Sequence, residues 1–199
     1  MSAQTDILVA GFEAFGGRAY NPSVDVARAA GHDGVAAETL AVEYRAVKKW
    51  VDEQTGRDGP ELLVGIGLAA DRDEVQFELR AHNEASDRAD EAGIEPSSGS
   101  LEEQAPDSLT TDLDVRRLAD ALDRRLSARS DLPGASWSRD AGRYVCNALY
   151  FYALRATRGD GPPETALFVH VPEVDESVAS SIGRKLGMLV LEVQRSGSA

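Results

Sequence analysis

Residues 7–12 read ILVAGF, a short and nearly continuous apolar run that is closed by Gly16 and Gly17. This pattern is typical of a buried strand that leads into a loop. The run LLVGIGL at 62–68 and the run ALFVHV at 166–171 predict two more buried strands.

Strand-like and helix-like periods alternate along the rest of the chain. The apolar positions Val115, Leu118, Ala119, Leu122 and Leu126 define an amphipathic helix. Further strands are predicted at 36–42 and 75–83, and further helices at 21–30, 44–55, 142–157 and 177–194. Such alternation is the signature of an α/β layer architecture.

The length of 199 residues favours one compact domain over residues 1–199, with a full apolar core. The single cysteine, Cys146, excludes an internal disulfide and a cysteine-based zinc site, and it indicates a reducing compartment. Residues 1–6 are polar, and no apolar run approaches the roughly 18 to 20 residues of a membrane span. We expect a cytoplasmic protein with no membrane partner.

The charge balance argues against nucleic acid as a partner. The chain carries 34 acidic and 21 basic residues, for a net charge of −13, which repels phosphates. Basic residues are scattered, as at Arg116, Arg117, Arg124 and Arg125, rather than gathered with aromatic residues into a stripe.

Acidic residues crowd segments such as 71–74 and 112–123, and the only lysines are Lys48, Lys49 and Lys185. We interpret this composition as a strongly hydrated, halophile-like surface adapted to high salt. Ordinary solvated helix faces explain the same pattern. The polar stretch 84–107 contains Gly93 and the segment PSSGS at 96–100, and it predicts a long surface excursion that is a lid, an interface arm or a disordered segment.

Cys146 lies in DAGRYVCN, residues 140–147, where a glycine-containing turn gives way to a predicted helix. In the first turn of that helix, the N-terminal partial positive charge favours the thiolate, which is the form that attacks carbonyls. A lone intracellular cysteine is more often a small buried apolar residue. Both interpretations stay open at this point.

His170 lies near the end of a predicted buried strand, a place where α/β folds assemble their sites, although a structural histidine fits there equally well. With Cys146 on a neighbouring element, His170 forms a candidate nucleophile and base pair. Glu78 is a candidate third member that orients the imidazole, against the alternative of an ordinary surface carboxylate. His32 and His82 make no metal-ligand spacing with other residues, so we expect no metal site.

Residues 11–17 read GFEAFGG, a glycine-bracketed loop directly after the first strand. The loop lacks the following lysine of a phosphate-binding loop and the glycine spacing of a dinucleotide site, so it is a weak nucleotide signal. Phe12 and Phe15 are suited to wall a small apolar pocket. The alternative is that both pack under the sheet.

Together these segments resemble the pyroglutamyl peptidase I family, the pyrrolidone-carboxylate peptidases of cysteine peptidase family C15. The resemblance spans nearly the whole chain. It rests on four blocks in the right order, at residues 11–23, 65–83, 140–147 and 168–172. It implies a single-domain three-layer α/β/α sandwich with a central twisted mixed sheet of the phosphorylase/hydrolase-like kind.

The resemblance assigns the family's catalytic triad to Glu78, Cys146 and His170 and requires no metal or organic cofactor. The family's glycine-rich loop falls on Phe12, Phe15, Gly16, Gly17, Asn21 and Pro22. The two phenylalanines are expected to touch the pyrrolidone ring, and the glycines and Asn21 are expected to contribute to substrate binding. An arginine near the family's active site corresponds to Arg88. The implied activity is removal of N-terminal pyroglutamate (5-oxoproline) from peptides through a thioester, by a protein that forms a homo-oligomer, commonly a tetramer.

Two departures from the family's pattern lie near the expected ring pocket. Residues 67–72 read GLAADR where bacterial members often read GQAGGR, so Leu68 replaces a glutamine. Ala14 stands where proline is usual. Other functional classes stay open: a non-catalytic small-molecule binding module, and a nucleoside-phosphorylase-like protein whose glycine loop holds phosphate. A further possibility is an inactive paralogue that acts through its oligomer surface.

The excess of negative charge generates a stability prediction. Repulsion among surface carboxylates weakens the folded state in dilute buffer, and salt screens it over about 10 Å at 0.1 M. We expect the melting temperature, followed by circular dichroism, to rise between 0.1 and 3 M KCl. A melting temperature that stays flat across this range would contradict a salt-adapted surface.

Overall fold

The computed structural model describes residues 6–32, 34–96 and 99–197, without the side chains of residues 196 and 197. The strands are β1 Ile7–Phe12, β2 Val35–Leu40, β3 Leu62–Leu68, β4 Val75–Glu78, β5 Arg80–His82, β6 Ser108–Thr110, β7 Ala135–Ser138 and β8 Thr165–Val171. The helices are α1 Pro22–Ala30, α2 Tyr44–Gln54, α3 Val115–Leu126, α4 Val145–Ala156 and α5 Glu176–Gly197.

Six strands form one mixed sheet in the order β2-β1-β3-β8-β4-β7. The four strands from β2 to β8 are parallel, whereas β4 pairs antiparallel with β8 and parallel with β7. Strands β1 and β3 are buried along their whole length, because helices cover both faces of a parallel sheet. A separate two-stranded sheet joins β5 and β6.

Helices pack on both faces of the sheet and produce two apolar cores. Helices α1, α3 and α5 cover one face, where Val26, Leu122 and Ile182 are fully buried. Helices α2 and α4 cover the other face, where Val47 and Phe151 are fully buried. The predicted α/β class and the three-layer α/β/α sandwich with a mixed central sheet are therefore confirmed.

The structure differs from the expected strand at 75–83, which is divided between two sheets. The division falls at Leu79, whose N–H donates to Ser138 O while its carbonyl accepts from Thr111 N–H. The chain therefore leaves the main sheet after Glu78 and pairs with β6 from Arg80 onward. Strands β6 and β7 were not predicted, because each is short and neither carries a strict apolar alternation.

The described part of residues 84–107 contains no helix or strand, yet it is hydrogen-bonded to the rest of the fold. Buried Asp90 accepts from the N–H groups of Tyr44, Ala92 and Ile94. The Asn83 side chain binds the backbone of Glu102 at both its amide nitrogen and its oxygen. Residues 97 and 98 of the predicted excursion lie outside the described residues.

Among the described residues, no helix is long and apolar enough to cross a membrane.

Candidate active site

His170 and Glu78 meet in the interior of the sheet. His170 is the next-to-last residue of β8, and Glu78 is the last residue of β4, which pairs with β8. His170 Nδ1 lies 2.8 Å from Glu78 Oε1. The Glu78 side chain is fully buried, so the alternative of a surface carboxylate does not describe it. The pair has the geometry of a base and the group that orients it.

Cys146 lies in the first turn of α4, as the sequence predicts, and is half-buried. Its sulfur packs against Gly67 so closely that a Cβ added to Gly67 would lie 2.6 Å from Sγ. Gly67 is in register with His170 on the adjacent parallel strand. Paired residues on neighbouring strands point to the same face of a sheet, so the thiol and the imidazole occupy the same side.

Burial raises the pKa of the Cys146 thiol to about 12, and the negative charge of Glu78 adds to this rise. The residue's own backbone N–H lowers the pKa, which is the direction expected at a helix start. The effect of burial on the pKa is larger than the effect of this N–H group. The thiol is therefore protonated at neutral pH, and a neighbouring base is needed to generate the thiolate.

The start of α4 also supplies backbone donors beside Cys146. Tyr144 caps the helix with an extended backbone, and the first intrahelical bond runs from Ala148 N–H to Tyr144 O. The N–H groups of residues 145–147 therefore lie outside the α-helical bonding pattern. Such donors at a helix N-terminus stabilise negative charge on a nearby oxygen.

Residues of the polar stretch 84–107 contact the glycine-rich loop that follows β1. Gly16 and Gly17 both have a positive φ, a conformation that favours glycine. Gly16 N–H donates to Glu91 Oε1 at 3.0 Å. Arg88 Nη2 lies 3.3 Å from the position of a Cβ on Gly16, which places this arginine beside the loop.

The two loop phenylalanines have different surroundings. Phe12 is 1% exposed and packs in the α2/α4 core, whereas Phe15 is half-buried. Phe15 contacts Tyr144, with ring centroids 6.3 Å apart. Of these two aromatic side chains, Phe15 is therefore the one that a ligand can reach.

Asn21 lies at the N-cap of α1, where its Oδ1 accepts from Ser23 N–H at 3.1 Å. Its Nδ2 donates to Glu13 O at 2.9 Å. Pro22 follows as the first helical residue, a position where its missing N–H is not needed. Asn21 therefore joins the end of the glycine-rich loop to the helix that follows it.

Tyr144 was missed by the sequence reasoning. Its ring lies edge-on to Tyr44 with centroids 6.0 Å apart, and the Arg88 guanidinium lies 4.7 Å from its centroid. Its hydroxyl donates to Ala89 O. Tyr144, Phe15 and Tyr44 thus form an aromatic cluster, and Tyr144 lies two residues before Cys146. Its place in the turn before Cys146 was the available signal.

Asn147 was also missed, although a polar residue in the apolar helix VCNALYFYAL was a signal for it. It is fully buried. Its Oδ1 accepts from His82 N–H, and its Nδ2 donates to the carbonyls of His82 and Glu84. This side chain therefore ties the helix that carries Cys146 to β5 and the start of the excursion.

Within the part of the chain that the structure describes, no group of three or more His, Cys, Asp or Glu side chains is placed to hold a metal ion. His82 Nε2 lies 3.7 Å from Asp140 Oδ1. Burial lowers the pKa of His82, and the nearby Arg143 charge acts in the same direction.

Comparison with known proteins identifies relatives of the whole fold. The model of the pyroglutamyl peptidase family matches residues 5–197. A pyrrolidone-carboxylate peptidase of Thermococcus onnurineus is 30% identical, covering 85% of this chain and 84% of its own. Pyroglutamyl-peptidase 1 of Rattus norvegicus is 27% identical, covering 94% of this chain and 88% of its own.

Solved structures show the same fold. The pyrrolidone carboxyl peptidase of Pyrococcus furiosus superposes with a TM-score of 0.83 at 23% identity, covering 97% of this chain and 99% of its own. The pyrrolidone carboxyl peptidase of Thermococcus litoralis gives a TM-score of 0.80 at 24% identity, covering 96% of this chain and 95% of its own.

The contact between Sγ and Gly67 generates a prediction. In Gly67→Ala, the new methyl group collides with Cys146 Sγ and with the Phe168 ring, so the sulfur is displaced. We expect a folded protein whose kcat/KM for the substrate proposed below falls by about 100-fold or more, the usual cost of an ångström of misplacement.

Gly65→Ala is the matched control, because the nearest neighbours of its methyl group, on the same face of the same strand, are Phe168 and Leu149 rather than the sulfur. We expect this variant to lose stability but to keep most of its activity per folded molecule. Equal activity losses in the two variants would refute a specific role for the space at Gly67.

Proposed function

Because the chain belongs to the pyroglutamyl peptidase family, we propose that it is a cysteine-type hydrolase that removes N-terminal pyroglutamate from peptides. The observation that carries this proposal is the buried His170–Glu78 hydrogen bond on the sheet face where Cys146 Sγ packs. A thiol, a base and an orienting carboxylate are the parts that acyl transfer requires.

Acylation follows from the protonation states of these groups. A neutral imidazole that donates from Nδ1 to Glu78 has its lone pair on Nε2. His170 Nε2 takes the thiol proton as Sγ attacks the carbonyl carbon of the pyroglutamyl residue. The tetrahedral intermediate collapses, the bond from this carbon to the next residue's nitrogen breaks, and His170 protonates the departing amine. Cys146 then carries the pyroglutamyl group as a thioester.

Deacylation uses the same groups in reverse. A water molecule attacks the thioester carbonyl while His170 takes its proton. The C–S bond breaks, the proton passes to Sγ, and free pyroglutamate leaves. Glu78 stabilises the imidazolium that forms transiently in both halves of the reaction.

Two sets of donors are suited to the oxyanion of each intermediate. The N–H groups at the start of α4 are the first, since they are fixed before the reaction begins. Arg88 is the second, because it lies between Gly16 and the Tyr144 ring. Donors fixed in place need no rearrangement as charge develops on the oxygen.

Selectivity for pyroglutamate follows from its uncharged ring. Phe15 and Tyr144 offer an aromatic surface to a flat ring. An ordinary N-terminal ammonium buried there without a partner would cost several kcal/mol. The phosphate-binding alternative is disfavoured, because Gly16 N–H already donates to the Glu91 carboxylate.

Four broader features belong to the same proposal. The acidic surface requires salt, the chain assembles as a homo-oligomer, the enzyme works in the cytoplasm, and one domain covers residues 1–199. The salt requirement is supported by the net charge of −13. The homo-oligomer is supported by the common occurrence of oligomers in the family. The cytoplasmic location is supported by the single cysteine, and the single domain by the family match over residues 5–197.

The triad is tested by turnover of a pyroglutamyl amide of a fluorescent amine, in high salt with reductant. Cys146→Ser should lose at least about a thousandfold in kcat/KM, since a hydroxyl is a poorer nucleophile here. Glu78→Gln should lose roughly 10²- to 10⁴-fold, because the amide cannot balance the imidazolium. Glu192→Gln, an exposed carboxylate, is the control. Activity retained in Cys146→Ser would remove this residue as nucleophile.

Phe15→Ala tests the ring contact. Loss of the aromatic surface should raise KM for the pyroglutamyl amide by about tenfold, the order expected for burying an aromatic side chain's worth of area. Met188→Ala, which truncates an exposed apolar side chain on α5, should leave KM unchanged. An unchanged KM in Phe15→Ala would show that the pyroglutamyl ring of the substrate does not contact Phe15.

A further inference from the structure

Arg72 approaches the same carboxylate oxygen that orients His170. It lies in the turn between β3 and β4, with 22% of its side chain exposed. Its Nη1 donates to Glu78 Oε1 at 2.6 Å, and His170 Nδ1 lies 2.8 Å from that same oxygen. The guanidinium and the imidazole therefore share one acceptor, which is fully buried.

A second contact joins Arg72 to the segment that leads to the nucleophile. Its Nη2 donates to Asp140 O at 2.9 Å, in the loop between β7 and α4. That loop enters the helix whose first turn carries Cys146. The Asp140 carboxylate points elsewhere, since it accepts from Arg143 Nη1 and Gly142 N–H.

We propose that Arg72 is a positioning residue for the reaction: its guanidinium balances the charge of buried Glu78, so that the carboxylate stays ionised and holds His170 in the tautomer that accepts the thiol proton. The proposal rests on the triad proposed above. Arg72 acts through Glu78 and the Asp140 loop rather than on the substrate.

Among the described groups around Glu78, Arg72 is the one suited to balance the negative charge of the carboxylate. The titratable groups that face the carboxylate are His170 from β8, Cys146 and Tyr150 from α4, and Arg72 from the turn. Tyr150 donates its hydroxyl to the backbone carbonyl of Glu78, not to the carboxylate. Glu78 Oε2 is buried and has no hydrogen-bond partner among the described residues. A buried carboxylate without a fixed cation is costly.

Removal of Arg72 can shift the acidic limb of the pH–rate profile by two routes, and both shift it in the same direction. In the first, Glu78 takes up a proton more readily and no longer accepts from His170 Nδ1. In the second, Glu78 stays charged and its uncompensated charge stabilises the imidazolium, so His170 does not serve as a base until a higher pH. Either route moves the acidic limb of the pH–rate profile upward.

The experiment compares Arg72→Gln, Arg72→Lys and a matched control in steady-state turnover of the pyroglutamyl amide across pH. The control is Arg125→Gln. Arg125 makes an ion pair of equal length, 2.6 Å, with Glu192, and its side chain is 25% exposed, but the pair joins α3 to α5. Folding of each variant is checked by circular dichroism.

We expect Arg72→Gln to lose about tenfold or more in kcat with KM within about threefold, and its acidic limb to move up by about one pH unit. Arg72→Lys, which keeps the charge, should hold the limb near its wild-type position. Arg125→Gln should match the wild type in all three quantities. An unmoved limb in Arg72→Gln, or a rise in KM with kcat unchanged, would overturn the proposal.

Arg72→Lys decides the case if Arg72→Gln does not fold. A folded lysine variant whose limb stays in place supports the charge-balancing role, and one whose limb rises with the charge retained overturns it. Failure of the proposed function is recognised separately, because the wild type would then not turn over the pyroglutamyl amide. The Arg72 effect is then read from the pH dependence of Cys146 alkylation by iodoacetamide. We expect this dependence to shift in Arg72→Gln and to keep its wild-type position in Arg72→Lys and Arg125→Gln, and an unshifted dependence in Arg72→Gln would overturn the proposal.

Discussion

The structure depends on one costly arrangement, a carboxylate placed inside the sheet. Strand β4 runs antiparallel to β8, so its last residue, Glu78, lies opposite Phe168 in the middle of β8 rather than at the sheet's edge. A carboxylate there must be matched by donors and positive charge, or it takes up a proton. His170 and Arg72 supply those partners at a single oxygen. The reversal of one strand thus determines where the base stands and what must surround it.

Cys146, the proposed nucleophile, packs close to the sheet because β3 lacks side chains there. Gly65 and Gly67 lie on the α4 face of β3, and any Cβ at these positions would collide with Phe168 or with the sulfur of Cys146. Their absent side chains let the α4 helix and the Phe168 ring approach the sheet closely. Close packing has an electrostatic consequence, since burial raises the pKa of the Cys146 thiol and keeps it protonated at neutral pH. Packing and chemistry are therefore set by the same two glycines.

The sequence allowed the strands built from continuous apolar runs to be predicted, because burial on both faces imprints such runs directly. The division of 75–83 at Leu79 was not predictable, since it depends on hydrogen bonds to Ser138 and Thr111 that are distant in sequence. The residues of the proposed triad were assigned through the resemblance to a family and the order of its blocks. Arg72 and Asn147 were missed. Asn147 stands out as a polar residue in an apolar helix, but the contacts of the two residues with Glu78 and His82 lie across the fold, and the sequence does not reveal these partners.

The overall acidity of the chain acts differently on its surface and on its site. Exposed pairs such as Arg18–Glu173 are weakened as salt shortens the range of electrostatic forces. The contact between Arg72 and fully buried Glu78 is shielded from ions by the surrounding protein, so salt weakens it far less. We therefore expect the Arg72–Glu78 contact beside His170 to depend less on salt than the exposed ion pairs do. Added salt thus reaches the charges on the surface and leaves the charges around the proposed triad largely unscreened.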